Sequence, residues 1–241
     1  MKNKKKNTGD NIFKDNSQWS FGGNVFKNFE NHINKSVPLY PITHDLYLNL
    51  SDFFLQKDSA ILDIGCSTGN FLNKIYLRHR YNDKKLKFIG IDNTKEMIGL
   101  CKKKYKRKKL KFLLKDIENY KIPKSCIISS FYTIQFISPK KRQSLINKIF
   151  ESLNWGGAFF MVEKVRGPDA RFQDILNQVY IEFKLSQGFT ESQIINKSKS
   201  LKGILEPFST KGNLDLLKRA GFKDVITVFK YACFEGFLAI K

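Results

Sequence analysis

Three short stretches carry residues whose types and spacing suit the binding of a nucleoside. Ile61-Leu62-Asp63-Ile64-Gly65-Cys66-Ser67-Thr68-Gly69-Asn70 sets two glycines four residues apart between an apolar run and a helix-forming segment. Glycine at 65 lets the backbone approach a ligand without a Cβ clash, and Gly69 permits a tight entry into the helix. Ile91-Asp92-Asn93 ends the next apolar run, with Asp92 23 residues past Gly69. A carboxylate there can accept from both hydroxyls of a ribose lying across the strand ends. Lys115-Asp116-Ile117 ends a third run, where Asp116 can accept from an exocyclic adenine amine and Ile117 offers an apolar face. Each stretch alone has a plain reading, as a strand–helix joint or a helix cap. Three in succession form a constellation.

The elements that must position these residues alternate strand and helix from Ser59 onward. Apolar runs at SAILDIG, LKFIGID, LKFLLKDI, SCIISSFYTIQF and AFFMVEKV are separated by helical patterns, including NFLNKIYLRHR and TKEMIGLCKKKYKRKK, the latter with Thr94 at its N-cap. PKKRQSLINKIFESLNWGG reads as a helix closed by Gly156 and Gly157. NLDLLKRAGF, KDVITVFKY and CFEGFLAIK then read as helix, strand, strand. The expected fold is α/β and Rossmann-like, with a mostly parallel seven-stranded sheet, helices on both faces and an antiparallel edge strand. Ligands bind such sheets outside the carboxyl ends of the strands. The Gly65–Gly69 loop lacks the third glycine of a dinucleotide pyrophosphate loop, and S-adenosyl-L-methionine (SAM) has no pyrophosphate to bind. SAM fits the pattern better than a nicotinamide cofactor.

Residues 1–18 are Lys/Asn-rich and are expected to be a disordered basic tail, and residues 19–241 a single domain. Residues 19–57 read as a helical N-terminal cover, with Phe26, Phe29 and Ile33 on one helix face and Pro38 and Pro41 stopping it. Residues 168–211 fall outside the alternation and read as a helical lid. No run approaches the ~18 apolar residues of a membrane span, and the basic N-terminus has no apolar segment after it, so a cytoplasmic protein is expected. The four cysteines show no metal-ligand spacing, and no metal is expected. The net charge of +21 raises nucleic-acid binding, yet only seven of the 43 basic residues are arginines. RNA surfaces use Arg and aromatic residues for bidentate and stacked contacts. RNA binding is therefore possible but not favoured over a lysine-rich coding bias.

The chain resembles the carboxy-SAM synthases, a branch of the class I SAM-dependent methyltransferase fold, from about Trp19 to Lys241. The matching stretches are WSF…VF, SVPLY, LDIGCSTGN, IGIDNTKEMIGLCKKK, KDI, TIQFISPKKRQSLINKIFESLNWGGA, VEK, FK…GF and AGF…ACFEGFLAIK. The resemblance implies that SAM and prephenate are converted to carboxy-SAM, which a partner enzyme uses on tRNA wobble uridine. It also implies ligand contacts from Tyr40, Gly65, Cys66, Ser67, Asp92, Asn93, Asp116 and Ile117, and a homodimer whose 168–211 segment sits beside the partner's pocket.

Three departures bear on the reaction. Phe131 stands where the family has Asn, Tyr180 and Ile181 replace a His pair, and Ser198 replaces the Arg that reads the extra carboxylate. A carboxylate shielded from water needs a charge-matched donor. Ser198 cannot be one, and Lys197 or Lys199 would offer only a point charge. These losses favour direct methyl transfer from plain SAM to a small-molecule acceptor. Carboxy-SAM synthesis is the alternative, with RNA methylation and non-catalytic SAM binding behind it. Phe131, Tyr132, Tyr180, Ser198 and Lys199 are the expected acceptor pocket, joined by the aromatics Phe136, Phe172 and Phe183. Tyr132, Glu163 and His44 are the candidate bases, although Glu163 can instead pair with Lys164 and His44 can cap a helix. His32 and His79 are expected on solvated helix faces.

Overall fold

The computed structural model describes residues 5–23, 25–82 and 84–241. The chain opens with a two-stranded antiparallel hairpin, β1 (Lys6–Asn7) and β2 (Phe13–Lys14). The disorder expected of residues 1–18 therefore fails for residues 5–18, while residues 1–4 lie outside the described residues. A few apolar anchors outweigh the local charge. Ile12 and Trp19 are buried with Val25, Phe29 and Met97, and Ser17 N and Trp19 N donate to the carbonyls of Lys199 and Ser200.

Helices α1 (Val25–Ser36) and α2 (Tyr40–Leu50) form the expected N-terminal cover. Pro38 follows α1, but Pro41 starts α2 instead of stopping a helix. Its missing N–H falls in the first turn, where no helical partner exists anyway.

The main unit then runs β3 (Ala60–Ile64), α3 (Asn70–His79), β4 (Lys87–Asp92), α4 (Lys95–Lys104), β5 (Leu110–Leu114), β6 (Ser125–Phe131), α5 (Pro139–Ser152), β7 (Leu153–Lys164), α6 (Ala170–Ser186), α7 (Glu191–Ser200), α8 (Thr210–Ala220), β8 (Asp224–Tyr231) and β9 (Phe234–Ile240). The seven long strands form one sheet ordered β5-β4-β3-β6-β7-β9-β8. β3 is buried throughout, as a strand covered on both faces must be. One face carries Ile61, Ile127 and Phe160 against α2, α3 and α4. The other carries Leu62, Ile128 and Phe159 against α5 and α8.

The antiparallel strand is β9, one place in from the edge, paired with both β7 and β8. Composition explains the order. FEGFLAI is buried over almost its whole length, whereas β8 is half-exposed and takes the edge. Helix α5 also ends earlier than expected, at Ser152, where Leu153 N still reaches the Ile149 carbonyl. Gly156 does not close that helix; it bends β7 at φ +71°.

Candidate active site

A cavity of about 750 Å³ lies at the carboxyl ends of β3, β4, β5 and β6, covered by α1, α2, α6 and α7. That volume falls within the range of small-molecule sites, roughly 300–1,000 Å³. Its floor is the Gly65 loop. Gly65 has φ +69°, and a Cβ there would stand 2.1 Å from Thr133 Oγ1. Thr133 itself is tied to the Ile64 and Phe131 carbonyls, so the neighbour cannot yield cheaply. Cys66, Ser67, Asn93, Asp116 and Ile117 all line the same cavity, as expected. Gly69 does not. At φ +73° it faces Phe112 and Cys101 beneath the loop, so its role is helix entry and packing, not ligand contact.

Asp92 holds the loop together. Its Oδ2 accepts from Ser67 N at 3.0 Å and its Oδ1 from Thr94 N at 2.8 Å. Thr94 is the N-cap of α4, but its hydroxyl makes no capping bond; Asp92 instead fixes the backbone just ahead of the helix through Thr94 N. Each carboxylate oxygen keeps a second lone pair for a ligand hydroxyl. Burial raises the Asp92 pKa, opposed by the backbone N–H donors. Sequence reasoning missed a second carboxylate, Asp63, which lines the cavity and accepts from Ser129 Oγ at 2.8 Å. Burial pushes its pKa up to about 7. The motif contains Asp63, but inside an unbroken apolar run its orientation is not legible.

An aromatic wall adjoins this polar edge. Tyr40 packs on His44 with ring centroids 4.4 Å apart, and Phe131 packs on His44 and Phe71 at 5.0 and 4.5 Å. His44 is buried in that wall, not on the helix surface, and burial holds its pKa down at about 3, so it is neutral. Tyr132 is held at φ +56°, a conformation that costs a non-glycine residue energy. Among the described residues, neither His44 Nε2 nor the Tyr132 hydroxyl has a hydrogen-bond partner. Buried polar atoms are ordinarily paired, and both residues line the cavity.

Glu163 is not available as a base. It lies outside the cavity lining, and its two oxygens accept from Ile134 N and Gln135 N at 2.9 Å each. It neither pairs with Lys164 nor faces an acceptor; it braces the turn after β6. Burial raises its pKa to about 8 against those two bonds. The two remaining histidines are also buried, not solvated: His79 Nε2 meets Ser51 Oγ at 2.7 Å, and His32 Nδ1 meets Asp10 Oδ2 at 2.8 Å.

The far wall holds charge that composition alone hid. The ammonium groups of Lys164 and Lys184 lie over the Tyr180 ring at 4.4 and 4.3 Å, and the Tyr180 hydroxyl donates to the Ser36 carbonyl at 2.8 Å. Lys197 lines the cavity beside them, together with Ser198. Lys199 does not: its side chain points to solvent, and its carbonyl receives Ser17 N. On a helix, residues two apart point to nearly opposite sides, which is why 197 and 199 part company. Desolvation lowers all three cavity lysines, Lys184 to about 7 and Lys197 well below the usual lysine range, with repulsion from Lys164 adding at Lys184 and repulsion from Lys184 adding at Lys197. Among the described residues, no carboxylate forms an ion pair with any of the three.

No group of His, Cys, Asp and Glu among the described residues could hold a metal ion, and no helix there is long and apolar enough to cross a membrane.

Comparison with known proteins matches this geometry. Residues 61–157 match the model of a methyltransferase domain. Two solved structures share the fold at low identity. They are the SAM-dependent methyltransferase SibL (TM-score 0.58, 14% identity, covering 83% of this chain and 55% of that one) and human N-acetylserotonin methyltransferase in complex with SAM (TM-score 0.54, 15%, covering 92% and 60%). The chain thus has the class I SAM-dependent methyltransferase fold, and its curated relatives make it an enzyme with SAM as its cofactor or substrate. Among curated proteins, the carboxy-S-adenosyl-L-methionine synthase of Staphylococcus epidermidis is 37% identical over 227 residues (93% of this chain, 97% of that protein), and that of Campylobacter lari 33% over 236 (96% and 99%). The chain belongs to the carboxy-SAM synthase family.

Proposed function

We propose that this enzyme converts SAM to carboxy-SAM with an anionic small co-substrate, prephenate by family resemblance. The observation that carries the reading is the row Lys164–Lys184–Lys197, which lines the same cavity as the nucleoside edge and, among the described residues, forms no ion pair with a carboxylate. Loss of the family arginine at Ser198 argues for plain methyl transfer only if nothing else supplies positive charge. The lysine row can supply it as an entering anion draws protons onto these amines, and carboxy-SAM synthesis then takes precedence over methyl transfer to a small-molecule acceptor.

The residues present fit SAM. Asp92 would accept from the ribose hydroxyls with the lone pairs that Ser67 N and Thr94 N leave free, Asp116 would accept from the adenine amine, and Ile117 would pack on the base. The backbone of Gly65, Cys66 and Ser67 would lie under the ligand, Asp63 offers a carboxylate to an ammonium group, and Tyr40 closes the side. SAM supplies a one-carbon group already activated by its sulfonium. Carboxylation replaces one methyl C–H with C–CO2⁻. Prephenate gives up CO2 and, as its ring becomes aromatic, a hydroxide that leaves as water with the methyl proton. The protein's part is therefore to hold prephenate against the sulfonium methyl and keep bulk water out. His44 Nε2 and the Tyr132 hydroxyl would find partners on the reactants, and the lysines would neutralise the carboxylates.

Product analysis tests the reading. Incubation with SAM and prephenate, followed by liquid chromatography and mass spectrometry, is expected to yield carboxy-SAM. If S-adenosylhomocysteine accumulates with a methylated acid and no carboxy-SAM forms, the enzyme is a methyltransferase and the proposal fails.

The same reading includes a homodimer. Phe172, Ile175 and Val179 leave a solvent-facing apolar stripe along α6. Spacings of three and four residues put the α6 members on one face, where a second copy would cover them. Sedimentation equilibrium is expected to give a dimer for the parent and a monomer for Val179→Glu. A monomeric parent would remove this part of the proposal.

A further inference from the structure

Lys197 reaches the cavity through contacts that begin in the N-terminal hairpin. Asp10, at φ +50° between β1 and β2, accepts from three side chains of α1: His32 Nδ1 at 2.8 Å, Asn31 Nδ2 at 3.0 Å and Lys35 Nζ at 3.3 Å. A carboxylate that close to Nδ1 fixes the proton on that nitrogen. Nε2 is therefore left as an acceptor. Two donors meet it, Lys197 Nζ and Ser36 Oγ, each at 3.3 Å. The imidazole cannot swivel, because Trp19 stacks on it at 27° and Phe189 meets it edge-on. Trp19 also lies under the Lys197 ammonium. Burial is the main reason that His32 titrates near 4, so the ring stays neutral at ordinary pH and does not repel the lysine.

We propose that Asp10 and His32 are positioning residues, which hold one N–H of Lys197 so that the amine, protonated as an anion enters, is aimed at a carboxylate of the co-substrate. The proposal rests on the anionic co-substrate reading above. It gives the hairpin a task in specificity: the segment that resembles a disordered tail in composition sets the aim of a binding lysine. It also offers a physical replacement for the missing fork of the arginine. A lysine is a flexible point charge with three rotatable donors, and fixing one donor restores directionality.

The decisive experiment is calorimetry of prephenate binding to SAM-loaded protein at pH 6.5, with the parent, Lys197→Met, His32→Leu, His32→Gln and the His32→Leu/Lys197→Met double variant. Glutamine keeps an acceptor near the Nε2 position, whereas leucine keeps bulk alone. His32→Leu is expected to weaken prephenate about 10-fold with SAM affinity within 2-fold of the parent, and His32→Gln to recover most of the loss. The double variant is expected to bind no more weakly than Lys197→Met, because the two residues act as one unit. The inference is overturned if His32→Leu binds prephenate like the parent, if His32→Gln is as weak as His32→Leu, or if the two losses simply add. The broader reading fails separately, and visibly, if Lys197→Met itself leaves prephenate affinity unchanged while SAM still binds.

Discussion

Asp92→Ala is expected to weaken SAM binding at least about 100-fold, measured by calorimetry on the purified variant. Two hydrogen bonds from ribose hydroxyls to an ionised carboxylate contribute roughly 1.5–3 kcal/mol each. The substitution also frees Ser67 N and Thr94 N, the donors that Asp92 holds at 3.0 and 2.8 Å. Those two bonds tie the Gly65 loop to the start of α4, so the loss includes the shape of the cavity floor as well as the sugar contact. Asp92→Asn separates the contributions. An amide can still accept from one N–H, yet its NH2 faces the other donor, so an intermediate affinity is expected. An Asp92→Ala variant that binds SAM within 3-fold of the parent would leave the carboxylate as a helix cap and nothing more.

Lys184→Met is expected to weaken the anionic co-substrate by about 30-fold or more, while SAM affinity stays within 2-fold. Removing one member of an enclosed charge pair costs about 2–5 kcal/mol. The effect carries a pH signature whose sign follows from the empty site. Lys184 titrates near 7 there, so its charged form is present below that value and is lost as pH rises through it. The anion binds the charged form. Affinity in the parent should therefore fall as pH rises from about 7 to 9, binding at pH 8 should take up a proton, and Lys184→Met should flatten the profile. For stability the linkage runs the other way. The unfolded chain holds the lysine proton up to about 10.5 and the folded one only to about 7, so this group makes the empty protein more stable as pH rises across that window. A prephenate affinity that is constant from pH 6 to 9 would contradict the lysine assignment.

The order of chemistry-bearing residues along the chain was legible because parallel sheets impose it. Strand ends at Gly65, Asp92 and Asp116 must converge on one edge once β3, β4 and β5 lie side by side, and spacing alone shows that they do. Orientation across distant segments is a different matter. Lys164, Lys184 and Lys197 come from β7, α6 and α7 and meet only through tertiary packing, so in one dimension they are three among 43 cations. Lys197 and Lys199 flank Ser198 equally in the sequence, and the expected pocket took Lys199, because one-dimensional spacing does not say which helix face looks inward. Glu163 looked reactive for want of any sign that two backbone N–H groups would claim both its oxygens. The hairpin of residues 5–18 was missed because a charged, asparagine-rich composition outweighs two apolar anchors when averaged, although Ile12 and Trp19 suffice to fasten it.

A net +21 invites a nucleic-acid reading, but the lysines that matter most for this reaction are the few that face inward. Surface lysines such as those from Lys102 to Lys109 are largely solvated and are not needed by the proposed chemistry.

Native mass spectrometry of freshly purified protein bears most directly on the whole account. It should find an adenosyl sulfonium, SAM or its carboxylated derivative, released in near-stoichiometric amount from the parent and absent from Asp92→Ala. A parent that carries no adenosyl ligand, and into which added SAM titrates without saturation, would contradict it.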